Sequence, residues 1–366
     1  MKKLKVLHVV GAMNMGGTET MLMNVFRSIN RNEIQFDFVS YSSNKAYYDD
    51  EILRLGGRIF HLHKTTSVKQ LMKVIKDNGP YDVIHSHTLF HCGIANLAGK
   101  LAGIPVRIAH AHTTLDNQSS VIRRAYINLM RQVIHFSSTN LLSCSQEAGK
   151  YLFGDNKRYL YLPNLIDYSK FMMIDKVAVS SFKKQYHLEN RYVIGHIGRF
   201  TEAKNHIFMI NLMEKIVQIN SNAYLVLVGE GSLKTDIEFL VKEKNLKNHV
   251  LFLGLREDIS TILHCFDVFL FPSVFEGLGL VLLEAQMCGV PCIVSEAIQP
   301  EADLGLGFMS QLRLADNLDL WCEQVLNRSS SKLDDSQSLI SALYEKGYTK
   351  EQVVGNLMNI YKGEYA

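Results

Sequence analysis

The chain of 366 residues is long enough for two domains with separate cores, and 47% hydrophobic with 20% charged residues describes a globular chain, not a disordered one. No stretch approaches about 18 continuous apolar residues, which excludes a membrane-spanning helix, and a net charge of +3 gives no reason to expect a nucleic-acid partner. That charge is uneven: residues 1–165 hold 20 Lys/Arg against 11 Asp/Glu and the rest hold 19 against 25, so the halves suit different partners.

The first element is a strand over Lys5–Val10. The lysines before it imitate a signal peptide, but the apolar run ends at Gly11 and is too short, so a cytoplasmic protein is expected. Strands follow at Phe36–Tyr41, Arg58–Leu62, Val83–His87, Val106–His110 and Leu141–Ser145, with amphipathic helices at Thr18–Asn30, Ser67–Asp77, Gly93–Ala102 and Val121–His135. Such alternation makes right-handed βαβ units and a doubly wound parallel sheet.

The pattern pauses over residues 161–167 and then resumes. Strands are expected at Tyr192–Ile197, Ala223–Val228, Val250–Leu253, Asp267–Phe271 and Cys292–Val294, and a last helix at Lys350–Tyr361 has no strand after it. The expected architecture is α/β, two Rossmann-like doubly wound domains facing across a cleft. Their bounds are read as 1–165 and 166–348, with residues 349–366 as a helix crossing back onto the first domain. The six cysteines (92, 144, 265, 288, 292 and 322) are scattered, and Cys288 and Cys292 lack the CxxC spacing, so buried thiols of a reducing compartment are expected.

Four places carry chemistry. The first strand runs into Gly11-Ala-Met-Asn-Met-Gly16-Gly17-Thr18-Glu19 and a helix. Glycines at 16 and 17 allow positive φ and close backbone approach, and a helix start offers free N–H groups to an anion. The spacing is neither GxGxxG nor a P-loop, which leaves a dehydrogenase poorly supported. The loop reads equally as a tight turn or as a phosphate or sugar contact.

In the second half a strand enters Gly198-Arg199-Phe-Thr-Glu-Ala-Lys204-Asn205. An Arg and a Lys five apart at a strand's carboxyl end can converge on one diphosphate, the Arg as a fork and the Lys as a point charge. Next comes the most specific block, Phe271-Pro-Ser-Val-Phe-Glu276-Gly277-Leu278-Gly279 and on to Glu284. Glu276 falls on the loop and Glu284 about two turns into an apolar helix. A buried carboxylate there is costly unless it accepts hydrogen bonds, which a ribose diol would supply. The backbone N–H groups of Gly277–Leu280 form a helix-start anion site.

The fourth place is a pair of histidine pairs, His85/His87 and His110/His112, each ending a strand. They read as cleft-lining residues, as core residues or as a metal site, although no carboxylate cluster or Cys pair accompanies them.

Taken together, Gly16-Gly17-Thr18-Glu19, Gly198-Arg199 with Lys204-Asn205, and Glu276-x7-Glu284 resemble the family-4 retaining glycosyltransferases, which have the glycosyltransferase B fold. The similarity covers nearly the whole chain in order. RIAHAHTT at 107–114 and PCIVSEAIQPEADLGLGF at 291–308 look like the bacterial capsular and exopolysaccharide branch.

The resemblance implies a retaining transfer from a UDP- or GDP-sugar to a growing glycan, with the polyprenyl-diphosphate-linked acceptor on the first domain. Catalytic roles fall by implication on Glu276, His112, Arg199 and Lys204. Arg199 and Lys204 would neutralise the donor diphosphate, Glu284 would hold the ribose, and Glu276 would contact the sugar near its 3-hydroxyl. Backbone N–H groups of Gly277, Leu278 and Gly279, and the loop of Gly16 and Gly17, would complete donor binding, with His112 beside the transferring sugar. No cofactor and no metal would be needed. An epimerase or hydrolase of the same fold, or an inactive sugar-nucleotide-binding subunit, are the other readings.

Two positions depart from the family pattern. Ala203 stands where a Glu often precedes the diphosphate lysine, and Ser295-Glu296-Ala297 replaces a Gly-Gly. Finally, Ile122, Tyr126, Leu129, Met130 and Val133, flanked by Arg123, Arg124 and Arg131, form one apolar helix face that suits docking on an anionic membrane as well as packing on its own sheet.

Overall fold

The structure, a computed structural model, describes residues 3–114, 120–155, 157–328 and 336–364. The chain divides into two compact units, one of residues 1–166 with 347–366 and the other of residues 167–346.

Unit 1 begins with β1 (Leu4–Val10), α1 (Gly17–Ser28), β2 (Ile34–Ser40), α2 (Asp49–Arg54) and β3 (Ile59–His61). It continues with α3 (Val68–Asn78), β4 (Val83–Ser86), α4 (Cys92–Leu101) and β5 (Val106–Ala111). The set closes with α5 (Val121–Ser137), β6 (Asn140–Ser143), α6 (Gln146–Phe153) and β7 (Leu160–Tyr161). All seven strands are parallel, in the order β3-β2-β1-β4-β5-β6-β7.

Unit 2 holds α7 (Ser169–Met172), α8 (Lys176–Gln185), β8 (Tyr192–Ile197), α9 (His206–Ile219), β9 (Ala223–Val228), α10 (Lys234–Glu243) and β10 (Val250–Gly254). After these come α11 (Ile259–Leu263), β11 (Val268–Phe271), α12 (Leu280–Met287), β12 (Cys292–Ser295), β13 (Met309–Leu312), α13 (Leu318–Leu326) and α14 (Ser336–Glu345). Its six parallel strands run β10-β9-β8-β11-β12-β13. The last helix, α15 (Lys350–Tyr361), belongs to unit 1 and starts on a capping box, with Thr349 Oγ1 accepting from Gln352 N–H.

The central strands are buried on both faces, hence their near-continuous apolar runs. One face of the first sheet packs Leu7, Val9, Val39 and Ile84 against Leu71 and Ile75 of α3 and Ala95 and Ala98 of α4. On β1 and β2, His8 stacks among Phe36 and Phe38, and Tyr361 of α15 stands edge-on to Phe36 at 6.2 Å. In the second sheet Ile194, Leu225, Leu227, Val268 and Leu270 meet Met209, Ile210 and Met213 of α9 and Trp321 of α13.

Buried Asp37 on β2 is fully paired. It accepts from Arg58 Nη2 at 2.6 Å, Tyr81 Oη at 2.9 Å and Gln35 Nε2 at 3.1 Å. Burial alone would raise its pKa, but these hydrogen bonds outweigh it and hold the carboxyl below its ordinary range.

Several short elements carry no period in the sequence: α2, α6, β7 and β13. Strand β13 reads Met-Ser-Gln-Leu with no β-branched residue and sits at a sheet edge, where pairing with β12 alone makes it a strand. Strand β4 stops at Ser86, so His87 lies just beyond the ladder.

Candidate active site

In a parallel sheet every strand delivers its carboxyl end to one edge. Where the strand order reverses, the connecting helices leave to opposite faces and open a crevice. In unit 2 that reversal falls between β8 and β11, adjacent strands whose following loops are residues 198–205 and 272–279.

The two loops are tied together by Val274 N–H donating to the Ala203 carbonyl at 2.8 Å. The position where a family Glu is missing therefore contributes its backbone. Beneath them, the turn after β9 presses so close that a Cβ on Gly229 would lie 2.1 Å from the Gly198 carbonyl. Only glycine fits there. Asn205, in the left-handed conformation with φ 55°, then turns the chain into α9.

Lys204 and Glu276 meet as a partly buried ion pair, with the ammonium also 4.3 Å from the Phe271 ring centroid. Glu276 Oε1 accepts from Gly277 N–H at 3.1 Å. Arg199 is exposed, and among the described residues its guanidinium has no hydrogen-bond or ion-pair partner.

Gly279 adopts φ 77° and ψ 61° as the residue before α12, a conformation that costs a side chain. No side chain caps this helix start; Leu282 N–H donates to the Gly279 carbonyl at 2.8 Å, and the N–H groups of Leu280 and Val281 have no partner among the described residues. Leu278 is buried and anchors the turn. The helix begins at Leu280, which corrects the placing of Glu284: it is the fifth helical residue, little more than one turn in, because the left-handed glycine delays the helix.

Glu284 has no hydrogen-bond or ion-pair partner among the described residues, and burial pushes its carboxyl up to about 7. Ser295, in the second departure, donates Oγ–H to the Ser273 carbonyl at 2.5 Å, while Glu296 accepts from Leu314 N–H at 2.7 Å. Both are committed to local structure.

In unit 1 the reversal falls between β1 and β4. The glycine loop after β1 ends with Gly16 extended, at φ −157°, and Gly17 as the first residue of α1. Neither uses the positive φ that the sequence allows; their value is the uncapped helix start. His85 and His110 are buried, whereas His87 and His112 are half-buried.

The pairs are not separate, because each ring of one is bonded to a ring of the other, and His8 on β1 extends the set. His8 Nδ1 is hydrogen-bonded to His87 Nε2 at 3.2 Å, His87 Nδ1 to His112 Nε2 at 2.9 Å, and His85 Nε2 to His110 Nδ1 at 3.2 Å. Burial lowers the pKa of His112 to about 3, and that of His8 to about 3 against the opposing field of Asp37. His85, His87 and His110 are pushed far below their usual range by the same cause.

Two triplets, His8/His85/His87 and His87/His110/His112, each bring three ring nitrogens within 4.8 Å of one another. Neutral imidazoles so placed are a donor set that a zinc-type ion accepts, but here the rings already engage each other. Sequence reasoning missed His8 and Tyr361. The adjacency of β1 and β4 in a doubly wound sheet, which puts His8 beside His85, was the available signal for the first.

The raised carboxyl of Glu284 has a measurable consequence. Folding favours its protonated form, so the wild type should lose stability as pH rises from about 4.5 to about 7 and then level off. The loss should be on the order of 2 kcal/mol, allowing for its partial accessibility. Glu284→Gln should remove this slope. Urea unfolding of both proteins at pH 5 and pH 8 measures it, and parallel pH dependence would show that the carboxyl is not desolvated.

The comparisons with known proteins agree with this layout. The family model Glycosyltransferase Family 4 matches residues 15–170, and Glycosyl transferases group 1 matches residues 179–304. A Bacillus subtilis (strain 168) protein bearing the name glycosyltransferase EpsF is 37% identical over 98% of this chain and 96% of its own. An Escherichia coli enzyme, UDP-Gal:alpha-D-GlcNAc-diphosphoundecaprenol alpha-1,3-galactosyltransferase, is 27% identical over 80% of this chain and 79% of its own. Among solved structures, Anabaena Alr3699/HepE in complex with UDP-glucose superposes with a TM-score of 0.77, at 18% identity and 99% coverage of both chains. With both family matches in chain order and near-full-length similarity to EpsF, the chain belongs to the family-4 glycosyltransferases and is a glycosyltransferase of two Rossmann-like units.

Proposed function

We propose that this enzyme moves a sugar, with retention and without a metal ion, from a UDP- or GDP-sugar to a growing glycan carried on polyprenyl diphosphate. The product would be a capsular or extracellular polysaccharide, built at the inner face of the plasma membrane. The observation that carries this reading is the set of unmet groups at one sheet edge of unit 2. Arg199 and the uncapped start of α12 seek an anion, while Glu284 seeks hydrogen-bond donors. A nucleoside diphosphate supplies both, through its phosphates and its ribose hydroxyls.

Glu276 and Lys204 hold each other until the donor enters. Lys204 then turns its charge to the leaving phosphate, and Glu276 accepts from a sugar hydroxyl. Charge grows on the β-phosphate as the glycosidic bond breaks, and fixed cations and helix N–H groups stabilise it without reorganising. The nucleotide in the HepE complex supports the donor class, and the name of the E. coli enzyme supports a lipid-linked acceptor.

An acceptor in a membrane calls for an enzyme that reaches the surface, since no described helix is long and apolar enough to cross it. Helix α5 offers a face, though not the one its sequence suggests. Met130 is buried, Tyr126 is hydrogen-bonded to His91 at 2.9 Å, and Arg131 donates to the Tyr151 carbonyl. Outward instead point Ile122 (83% exposed), Leu129 and Phe136 (66% exposed), with Lys100 over the Phe136 ring. An apolar stripe with a cation at one end suits an anionic headgroup surface.

Three tests follow from this reading. Arg199→Ala and Lys204→Ala should each lower kcat/KM by on the order of 10²–10³, with kcat falling as well as affinity, and near-normal turnover in both would refute the pocket. Treatment with EDTA should leave activity within about twofold, a change worth well under 1 kcal/mol. Complete loss restored by Mg²⁺, Mn²⁺ or Zn²⁺ would point to the histidine triplets as a required metal site. Replacing Ile122, Leu129 and Phe136 together by Ser should weaken sedimentation with phosphatidylglycerol vesicles by on the order of 10²-fold. A soluble acceptor should still be used normally by that variant, and a wild type that stays in the supernatant at low salt disproves docking.

A further inference from the structure

The two strands that meet at unit 2's reversal separate early. On its outer side β8 stays paired with β9 as far as Ile197 and Val228, and β11 with β12 as far as Phe271 and Val294. Between β8 and β11 the ladder ends after two residue pairs, Ile194 with Val268 and Gly195 with Phe269. The next residue on β8 is His196, and its side chain makes the next rung. His196 Nδ1 lies 2.9 Å from the carbonyl of Leu270, one residue past the last pair on β11.

A carbonyl brings no hydrogen, so Nδ1 must carry the proton and donate, whatever any other ring does. Burial pushes the pKa of His196 well below its usual range, so the ring is neutral and its Nε2 is a bare lone pair. That nitrogen is buried and has no partner among the described residues. An apolar side chain would fill the same space without leaving a polar atom unmet. What the imidazole adds is the bond across the gap.

The ring lies at the root of both loops. A Cβ on Gly198 would stand 2.9 Å from His196 Nε2 and 3.3 Å from Cδ and Cε of Lys204, so the imidazole edge and the lysine stem both pack against that glycine. On its face the ring stacks with Phe271 at 5.4 Å, and the Phe271 ring in turn lies 4.3 Å from the Lys204 ammonium. Farther out, the bond from Val274 N–H to the Ala203 carbonyl ties the loops a second time. His196 thus fixes the gap at its root, and the Val274 bond fixes it at the rim.

We infer that His196 is a positioning residue for the sugar donor: its bond to Leu270 sets the spacing between the loop of Arg199 and Lys204 and the loop of Glu276, where the backbone ladder no longer does. The inference rests on the reading that this sheet edge binds a nucleoside diphosphate. What it adds is the residue that holds the two loops in register.

Calorimetric binding of UDP and of GDP reads that spacing without an acceptor. His196→Phe keeps a ring in the stack but leaves the Leu270 carbonyl unmet. His196→Asn places an amide N–H where Nδ1 was and gives up the outer part of the ring. Positioning through the hydrogen bond predicts that His196→Phe weakens whichever nucleotide the wild type binds by on the order of 10- to 100-fold, the range of one lost charge-assisted hydrogen bond. His196→Asn should stay within several-fold of the wild type. A role in filling space alone predicts the opposite order, so an Asn variant weaker than the Phe variant, or two variants that both bind normally, overturns the inference. Should His196→Phe fail to fold, two-bond proton–nitrogen spectra of the ¹⁵N-histidine-labelled wild type, assigned with His196→Asn, still decide. A proton on Nδ1 of His196 is expected, and a proton on Nε2 overturns the inference. Arg199→Ala and Lys204→Ala are the control on the underlying reading. If the wild type binds neither nucleotide, or both of these variants bind as tightly as it does, the donor site is wrong and the inference falls with it. If they are weakened and His196→Phe is not, the inference alone fails.

Discussion

Parallel pairing is the constraint from which the rest of this structure follows. Parallel strands cannot be joined by tight hairpins, so each must be followed by a crossover, and every crossover leaves from the same edge. In both units the chain winds first one way and then the other. At the reversal two loops face each other with no helix between them. The chemistry-bearing residues of unit 2 fall on the loops after β8 and β11 and in the first turns of α12, and those of unit 1 at or just past the ends of β1, β4 and β5. Packing forms the crevice, and the residues placed at it determine its chemistry.

The two crevices solve different electrostatic problems. Unit 2 holds charges that are partly unmet: a lysine and a glutamate satisfy each other, while an arginine and a second glutamate have no partner among the described residues. Leaving Glu284 desolvated costs stability, and a ligand with hydroxyl donors offsets that cost only when bound. The crevice of unit 1 gathers imidazole rings instead. Burial lowers the pKa of each of the five clustered histidines, and hydrogen bonds between rings tie them together.

Helix α5 shows how amphipathic spacing can mislead. Ile122, Tyr126, Leu129, Met130 and Val133 share a face by periodicity, yet the fold turns Tyr126 and Met130 inward and leaves Ile122, Leu129 and Phe136 in solvent. A period gives the angular spread of apolar residues around an axis. It does not say which part of a wide apolar arc faces the sheet.

Much of this was legible in the sequence because its signals are local. Strands Tyr192–Ile197 and Ala223–Val228 and helix Lys350–Tyr361 have the bounds their patterns give, since burial on both faces or a capping box fixes them residue by residue. The Glu276–Glu284 spacing and the loop of Arg199 and Lys204 were likewise readable, because their geometry is set within a few residues of one strand end. Only tertiary structure could decide what depends on neighbours distant in the chain. Among these are the Lys204–Glu276 pair across 72 residues, the Tyr361–His85 bond across 276, and the place of His8 in a ladder drawn from three strands. A hydrogen bond needs its partner within about 3 Å and correctly aimed, and composition and periodicity hold no such distance. The strand order supplies it.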